Sequence, residues 1–329
     1  MRERNVGIDF LKFFAVLFIT NSHMGVLYGK YSALASGGTM GDVLFFFCSG
    51  FTLFLKPIES LREFPNWYKR RINRIYPTVL AMAILMRLYF NEQADIVSII
   101  LYGGGWFVSC IMVYYVIIYF VGLYCKDKIN WVIAAISLGV IAWFYIIDRP
   151  FPFSMYSSDS VHMQWVLCFV FMLLGAKMGM DGSQPRVGHQ ARNLILTLVG
   201  FVAFYLIYAS SIRIERLAPI QVFNFLPLLL AVYFFFMWAN GEFANKLYQN
   251  KVAHFIIRFV GGLCLEVYLM QYAVFAVVHD KWNFMFPLNI PLALIVIILA
   301  AYLLRCFARL ISQTFKDEPY DWKKMMRAY

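Results

Sequence analysis

Two ionisable side chains of the first apolar segment, Lys12 and His23, lie eleven residues apart. An α-helix has about 3.6 residues per turn, so both would project from one helix face, about 16 Å apart along the axis. Ionisable residues within a membrane span are costly and usually functional. An imidazole accepts a proton from a hydroxyl group and returns it to a leaving group near neutral pH. His23 is therefore a candidate catalytic base, the alternative being a hydrogen-bonded packing residue.

A second candidate site lies in the basic stretch Lys69-Arg70-Arg71-Ile-Asn-Arg74, which precedes Pro77. Arg71 and Arg74 are three residues apart and would face one side of any helix that begins before them. Guanidinium groups bind phosphate through paired hydrogen bonds, so a polyphosphate such as coenzyme A fits this site. The alternative is that these cations fix the membrane topology or contact lipid headgroups.

Two carboxylates also lie among apolar residues. Asp9 precedes Lys12 by three residues, so the two side chains either form a salt bridge or both contact a ligand. Glu266 falls near the middle of a later apolar stretch, where its partner is expected to be Lys12, Arg87 or a water-filled cavity. No spacing of potential ligands predicts a metal site, and no phosphate-binding loop motif predicts ATP-driven transport.

Ten apolar stretches are expected to position these residues. Hydrophobic residues make up 62% of the 329-residue chain and charged residues only 14%, which excludes an ordinary soluble protein. Continuously apolar runs, rather than alternating ones, exclude a transmembrane barrel. The expected spans are residues 8–28, 40–56, 75–91, 104–124, 129–148, 164–180, 192–209, 219–239, 255–279 and 288–311. We predict an all-α, polytopic helical bundle with about ten transmembrane helices.

The distribution of positive charge predicts the topology. With the N-terminus inside, twenty-two of the 29 lysine and arginine residues fall in cytoplasmic loops and tails, five fall outside, and Lys12 and Arg87 fall within spans. This follows the positive-inside rule, so both termini are expected in the cytoplasm and the net charge of +11 does not indicate nucleic acid. We interpret residues 1–315 as a single transmembrane domain and 316–329 as a cytoplasmic tail.

At these residues the chain resembles the acyltransferase 3 family of integral membrane acyltransferases. The family's opening block, roughly iDxLRxxAxxxVxxxH, is similar to residues 8–23, with lysine at position 12 in place of the usual arginine. The block FFxxSGF is similar to residues 45–51, and the family's RxxR before a proline matches Arg71, Arg74 and Pro77. A WF pair at residues 106–107 and a late SLxxYLxH/Q block at 264–271 match more loosely, with Gln271 where many relatives have histidine.

The resemblance implies a function and a set of site residues. Such proteins transfer an acyl group, typically acetyl from cytoplasmic acetyl-CoA, to a hydroxyl of a surface polysaccharide or lipid-linked glycan in the bacterial inner membrane. His23 becomes the catalytic base or acyl relay, and Lys12, Arg71 and Arg74 become donor-binding groups. The expected supporting residues are Asp9, Ser49, Trp106, Glu266 and Tyr268. No permanently bound cofactor and no metal are implied.

Two other functions are compatible with the residues. A transporter or flippase of a lipid-linked sugar would also have many spans and intramembrane charges such as Lys12 and Glu266. Such a transporter would be expected to show two similar halves with paired broken helices, and no internal repeat is visible. A non-catalytic relative acting in glycan export is less consistent with the retained His23, Arg71 and Arg74.

Overall fold

The computed structural model describes residues 5–90, 95–148, 151, 154–155, 161–182, 188–282, 285–314 and 319–328. Within these ranges the chain contains fifteen α-helices, several 3₁₀ segments and no strand, which confirms the all-helical prediction. The helices are α1 (Val6–Ser22), α2 (Gly25–Tyr28), α3 (Gly38–Leu53), α4 (Phe64–Phe90), α5 (Ile96–Tyr102), α6 (Gly105–Tyr124), α7 (Ile129–Ile146), α8 (Val161–Met180), α9 (Gln190–Arg213), α10 (Phe225–Ala239), α11 (Glu242–Gln249), α12 (Lys251–Gly262), α13 (Cys264–Trp282), α14 (Asn289–Thr314) and α15 (Trp322–Met325).

Fewer spans are established than the ten predicted. Six helices of the described residues are long and apolar enough to cross a membrane, and eight spans result if each of two bent helix pairs counts as one. The bent pairs are α1 with residues 25–34, at 61°, and α12 with α13, at 72°. Of the remaining expected spans, α3 is only 16 residues long, and α4 begins with the basic stretch, so its apolar part is short. The count of ten stays a prediction.

The described residues form two compact units. The first contains the chain up to Phe14, residues 39–59 and residues 120–257. Its core includes residues from α7, α8 and the start of α10, together with Met155 and Val222. Helices α3 and α8 approach closely, because a Cβ atom added at Gly50 would lie 1.9 Å from the Met172 carbonyl oxygen.

The second unit contains residues 15–38, 60–119 and 258–329. Its core packs α4 against α14 through Ala81, Met82, Leu304 and Ala308, with Leu269 of α13 alongside. The expected tail carries α15, which is held to α14 because the Tyr302 hydroxyl donates to the Met326 carbonyl at 2.6 Å. The division into a domain of residues 1–315 and a tail stays a prediction.

Candidate functional site

His23 lies just beyond the end of α1 rather than within a continuous helix. The helix ends at Ser22, and the His23 amide donates to the Thr20 carbonyl at 3.2 Å, a tightened last turn. The Ser22 hydroxyl competes with backbone N–H groups for the Ile19 carbonyl, to which it donates a hydrogen bond at 2.8 Å. The expectation of one regular helix through both residues is therefore corrected, because α1 ends one residue before His23. That Lys12 and His23 share a face stays a prediction.

The imidazole of His23 is held in a defined orientation. Its Nδ1 lies 2.8 Å from the Ile19 carbonyl oxygen and 3.1 Å from the Ser22 hydroxyl. A carbonyl oxygen only accepts hydrogen bonds, so in the neutral ring Nδ1 carries the proton and Nε2 carries the lone pair. Nε2 makes no hydrogen bond within the described residues, and the ring edge packs against Tyr272 at a centroid distance of 5.1 Å. The half-buried imidazole can therefore act as a base through Nε2.

The segment after His23 is tied back to the end of α1 by Asn21. The Asn21 amide donates to the carbonyls of Leu34 and Ser36, at 2.8 and 2.9 Å, and its oxygen accepts from the Tyr28 hydroxyl at 2.7 Å. These bonds fix the turn that carries His23. Asn21 was not predicted as a positioning residue, although it is a polar neighbour of His23 in an apolar segment.

Arg71 and Arg74 lie on one helix, since α4 begins at Phe64 and continues through Pro77. Their environments differ: Arg71 is half-buried, and Arg74 is exposed. The Arg71 guanidinium carbon lies 4.7 Å from the Trp67 ring centroid and 5.9 Å from that of Tyr115. The structure therefore confirms the shared helix but makes Arg71 the more enclosed cation.

The guanidinium of Arg71 is incompletely paired. Its Nε is buried and makes no hydrogen bond to any described residue. Burial lowers the pKa of Arg71, Tyr115 raises it, and the positive charges of Arg74 and Arg70 lower it further. An anion that reached this guanidinium would complete its hydrogen bonding and reduce the repulsion among the three cations.

An aromatic cluster holds this part of α4 against α6. The Trp67 ring contacts those of Tyr115 and Tyr119 at centroid distances of 6.0 and 5.0 Å, and Phe64 contacts Tyr119 at 5.0 Å. The Tyr119 hydroxyl donates to the Ser60 carbonyl at 2.6 Å. Arg71 thus packs on a cluster of mutually contacting aromatic residues that were not predicted as part of the site.

Glu266 pairs with Arg305. The expected partners, which were Lys12, Arg87 or a water-filled cavity, are corrected. Arg305 donates from Nε to Oε1 at 3.0 Å and from Nη2 to Oε2 at 2.7 Å, and both residues are buried. Nη2 also donates to the carbonyl of Gly262, the last residue of α12. Arg305 lies within α14. The pair fixes the break between α12 and α13.

Trp106 and Tyr268 lie in one region. The Phe107 ring, next to Trp106, contacts Tyr268 at a centroid distance of 4.9 Å. A Cβ atom added at Gly105, where α6 begins with a φ of +63°, would lie 3.0 Å from the Tyr268 hydroxyl oxygen. Tyr268 of α13 therefore lies against the start of α6, where Trp106 is the second residue.

Three predicted residues belong to the first unit. Asp9 is buried, and one of its oxygens accepts a hydrogen bond from the Tyr248 hydroxyl at 2.5 Å. Lys12 is half-buried on α1, and its predicted salt bridge with Asp9 stays a prediction. Ser49 is half-buried within α3, where its carbonyl accepts from the Thr52 hydroxyl at 3.0 Å.

The described residues include no group of three or more His, Cys, Asp or Glu side chains that could hold a metal ion. No curated protein and no solved structure matches the chain significantly. A family model described as an acyltransferase domain matches residues 5–306, nearly the whole chain. This match confirms the resemblance drawn from the motifs. With its long apolar helices, the chain is a membrane acyltransferase that belongs to the acyltransferase 3 family.

Proposed function

We propose that the protein transfers an acyl group, specifically acetyl, from coenzyme A to a hydroxyl of a surface polysaccharide or of its lipid-linked precursor. The observation that carries this proposal is the hydrogen bond from His23 Nδ1 to the Ile19 carbonyl. It leaves the Nε2 lone pair available to take a proton from an alcohol. The proposed setting is the inner membrane of a bacterium, with the donor on the cytoplasmic side.

The reaction needs one base that later acts as an acid. The acceptor hydroxyl oxygen attacks the thioester carbonyl carbon while His23 Nε2 takes the hydroxyl proton. The C–S bond then breaks, and the thiolate of coenzyme A leaves with the proton from the imidazolium. In the alternative route Nε2 itself attacks the thioester carbon, the C–S bond breaks and coenzyme A leaves as its thiolate. The acceptor hydroxyl then attacks the acyl group, the bond from the acyl carbon to Nε2 breaks, and the hydroxyl proton goes to the thiolate. Both routes use the same nitrogen of His23.

Arg71 is the proposed contact for the phosphates of coenzyme A. Its half-buried guanidinium has a buried Nε without a partner among the described residues. Phosphate oxygens accept paired hydrogen bonds from this group, and Arg74 on the next turn adds positive charge. Lys12 is proposed as a further donor contact from its position in the opening motif.

Acceptor-dependent release of coenzyme A tests this function. Protein purified in nanodiscs would be given acetyl-CoA, and lipid-linked glycans extracted from the native host's membranes would then be added. Free coenzyme A is measured by chromatography, because the six cysteines of the chain would react with a thiol dye. We expect release only when the acceptor is present, with equal acetyl ester formed on the glycan. A transporter or flippase would release none, and that result would overturn the proposal.

A further inference from the structure

Helix α13 carries a buried amide that nothing in the described structure satisfies. The side chain of Gln271 is 0% exposed, and neither its Oε1 nor its Nε2 makes a hydrogen bond with any described residue. Nearly all buried polar side-chain atoms of native proteins have a hydrogen-bond partner, so an exception requires an explanation. One explanation is a ligand that supplies the partner during the reaction.

The neighbours of Gln271 lie at the candidate site. The next residue, Tyr272, packs against the His23 ring. One turn earlier, Tyr268 contacts Phe107 at the start of α6. By helix geometry Gln271 projects about 60° from Tyr268 and about 100° from Tyr272, so all three share one half of the helix.

The opposite half of α13 is occupied by structural contacts. Leu269 and Met270 pack against the core between α4 and α14, and Glu266 pairs with Arg305 of α14. Leu269 and Glu266 project about 140° to 160° away from Gln271, and Met270 about 100° away. The unpartnered amide therefore projects between Tyr268 and Tyr272, away from the Leu269 and Glu266 contacts.

We propose that Gln271 donates a hydrogen bond from its amide N–H to the carbonyl oxygen of the acyl group during transfer. This inference rests on the proposed function. When a hydroxyl or imidazole attacks the thioester carbon, the C=O π electrons move onto the oxygen, and the amide N–H stabilises that negative charge. When the C–S bond breaks, the C=O bond reforms and the hydrogen bond weakens. Gln271 neither gains nor loses a proton.

The Gln271→Met variant separates this role from packing. Methionine has a similar length and no donor, and replacing an unpaired buried amide with an apolar group is expected to leave stability unchanged or raised. Loss of one donor to a developing oxyanion lowers kcat about 10²–10³-fold. We therefore expect Gln271→Met to keep the thermal unfolding midpoint and the KM for acetyl-CoA while kcat falls by that factor. Activity is measured with [1-¹⁴C]acetyl-CoA in membrane vesicles from the native host, which contain the endogenous acceptor.

Gln190 provides a matched control, since both polar atoms of its side-chain amide are also buried without a partner among the described residues, but in the first unit. Gln190→Met should keep wild-type kcat. Gln271→His, which retains an N–H donor, should keep kcat within about tenfold of the wild type. A kcat for Gln271→Met within about threefold of wild type overturns the inference.

If Gln271→Met does not fold, the kcat of Gln271→His tests the inference instead. A folded Gln271→His with less than a tenth of wild-type kcat overturns the inference. If the wild-type vesicles themselves transfer no label, the proposed function fails as a whole. The two failures are therefore distinguishable.

Discussion

The guanidinium of Arg305 and the carboxylate of Glu266 form a buried two-point pair, with N···O distances of 3.0 and 2.7 Å. Because Arg305 also bonds the carbonyl of Gly262, the pair joins α14 to both sides of the α12–α13 break. Helix α13 carries Tyr268, Gln271 and Tyr272, so this pair sets the orientation of one wall of the candidate site.

Removing one partner of this pair is expected to destabilise the protein strongly. Arg305→Met leaves a carboxylate buried without its cation, which costs about 3–5 kcal/mol. The double variant Glu266→Gln with Arg305→Met should regain most of that loss. Asp181→Asn is the control, since its pair with Lys177 is partly exposed and contributes about 0–1 kcal/mol. Denaturant unfolding in detergent micelles measures these changes, and equal losses for Arg305→Met and Asp181→Asn would contradict the account.

Arg71 is expected to contribute more to donor binding than its exposed neighbours. Arg71→Ala should weaken coenzyme A binding about 10- to 150-fold, since hydrogen bonds to charged groups contribute about 1.5–3 kcal/mol. Arg71→Lys should recover little, because lysine cannot stack as a planar fork on Trp67. Isothermal titration of purified protein measures both affinities.

Two controls accompany this prediction. Arg70→Ala, an exposed cation on the same helix, should change the affinity less than about threefold. S-acetylpantetheine lacks the 3′-phosphate and the diphosphate, so Arg71→Ala and wild type should bind it equally. Unchanged affinity of Arg71→Ala for coenzyme A would rule out the phosphate contact.

The hydrogen bond from Tyr248 to Asp9 anchors the beginning of α1. Tyr248→Phe should lower the free energy of unfolding by about 1.5–3 kcal/mol, because the bond ends on a buried carboxylate. Tyr145→Phe removes a comparable hydroxyl, which donates to the neutral Pro219 carbonyl. This variant should lower the free energy of unfolding by about 0.5–1.5 kcal/mol. A smaller loss for Tyr248→Phe than for Tyr145→Phe in the same denaturant series would show that Asp9 does not depend on this bond.

Substitution by alanine should lower the stability of the protein at Gly105 and raise it at Gly139. At Gly105 the positive φ of +63° costs an L-residue about 1–2 kcal/mol, and the new Cβ would press on the Tyr268 hydroxyl. Gly139 lies within α7 with open space around it, so alanine should stabilise by about 0.5–1 kcal/mol. Thermal unfolding midpoints test this, and a stabilised Gly105→Ala would show that the start of α6 is not constrained.

The features that depend on neighbouring residues in the sequence, namely the helices and the family motifs, could be predicted. Long apolar runs predicted helices, and the opening motif, the arginine pair and the late block predicted the family that the family model confirms. The basic stretch was expected to lie on a helix if that helix began early, and α4 does begin at Phe64.

Contacts between distant segments escaped prediction. Glu266 and Arg305 are 39 residues apart, so their pairing depends on how α13 and α14 pack rather than on any local pattern. The sequence did contain an indication, since Glu266 is the one carboxylate in its apolar run and Arg305 lies within an expected span. Helix α1 ends before His23 because the Ser22 hydroxyl bonds to the Ile19 carbonyl and the Asn21 amide bonds to the Leu34 carbonyl of the following segment. The spacing of apolar residues does not predict either hydrogen bond.

The central claim is that His23 performs the transfer. Acetyl ester on the surface glycan, measured by mass spectrometry in native host cells that carry only His23→Ala, tests it most directly. His279→Ala, a partly exposed histidine on α13, is the control. Loss of a positioned general base lowers the rate about 10²–10⁴-fold, so we predict acetylation near background for His23→Ala and normal acetylation for His279→Ala. Wild-type acetylation in His23→Ala cells would contradict the account.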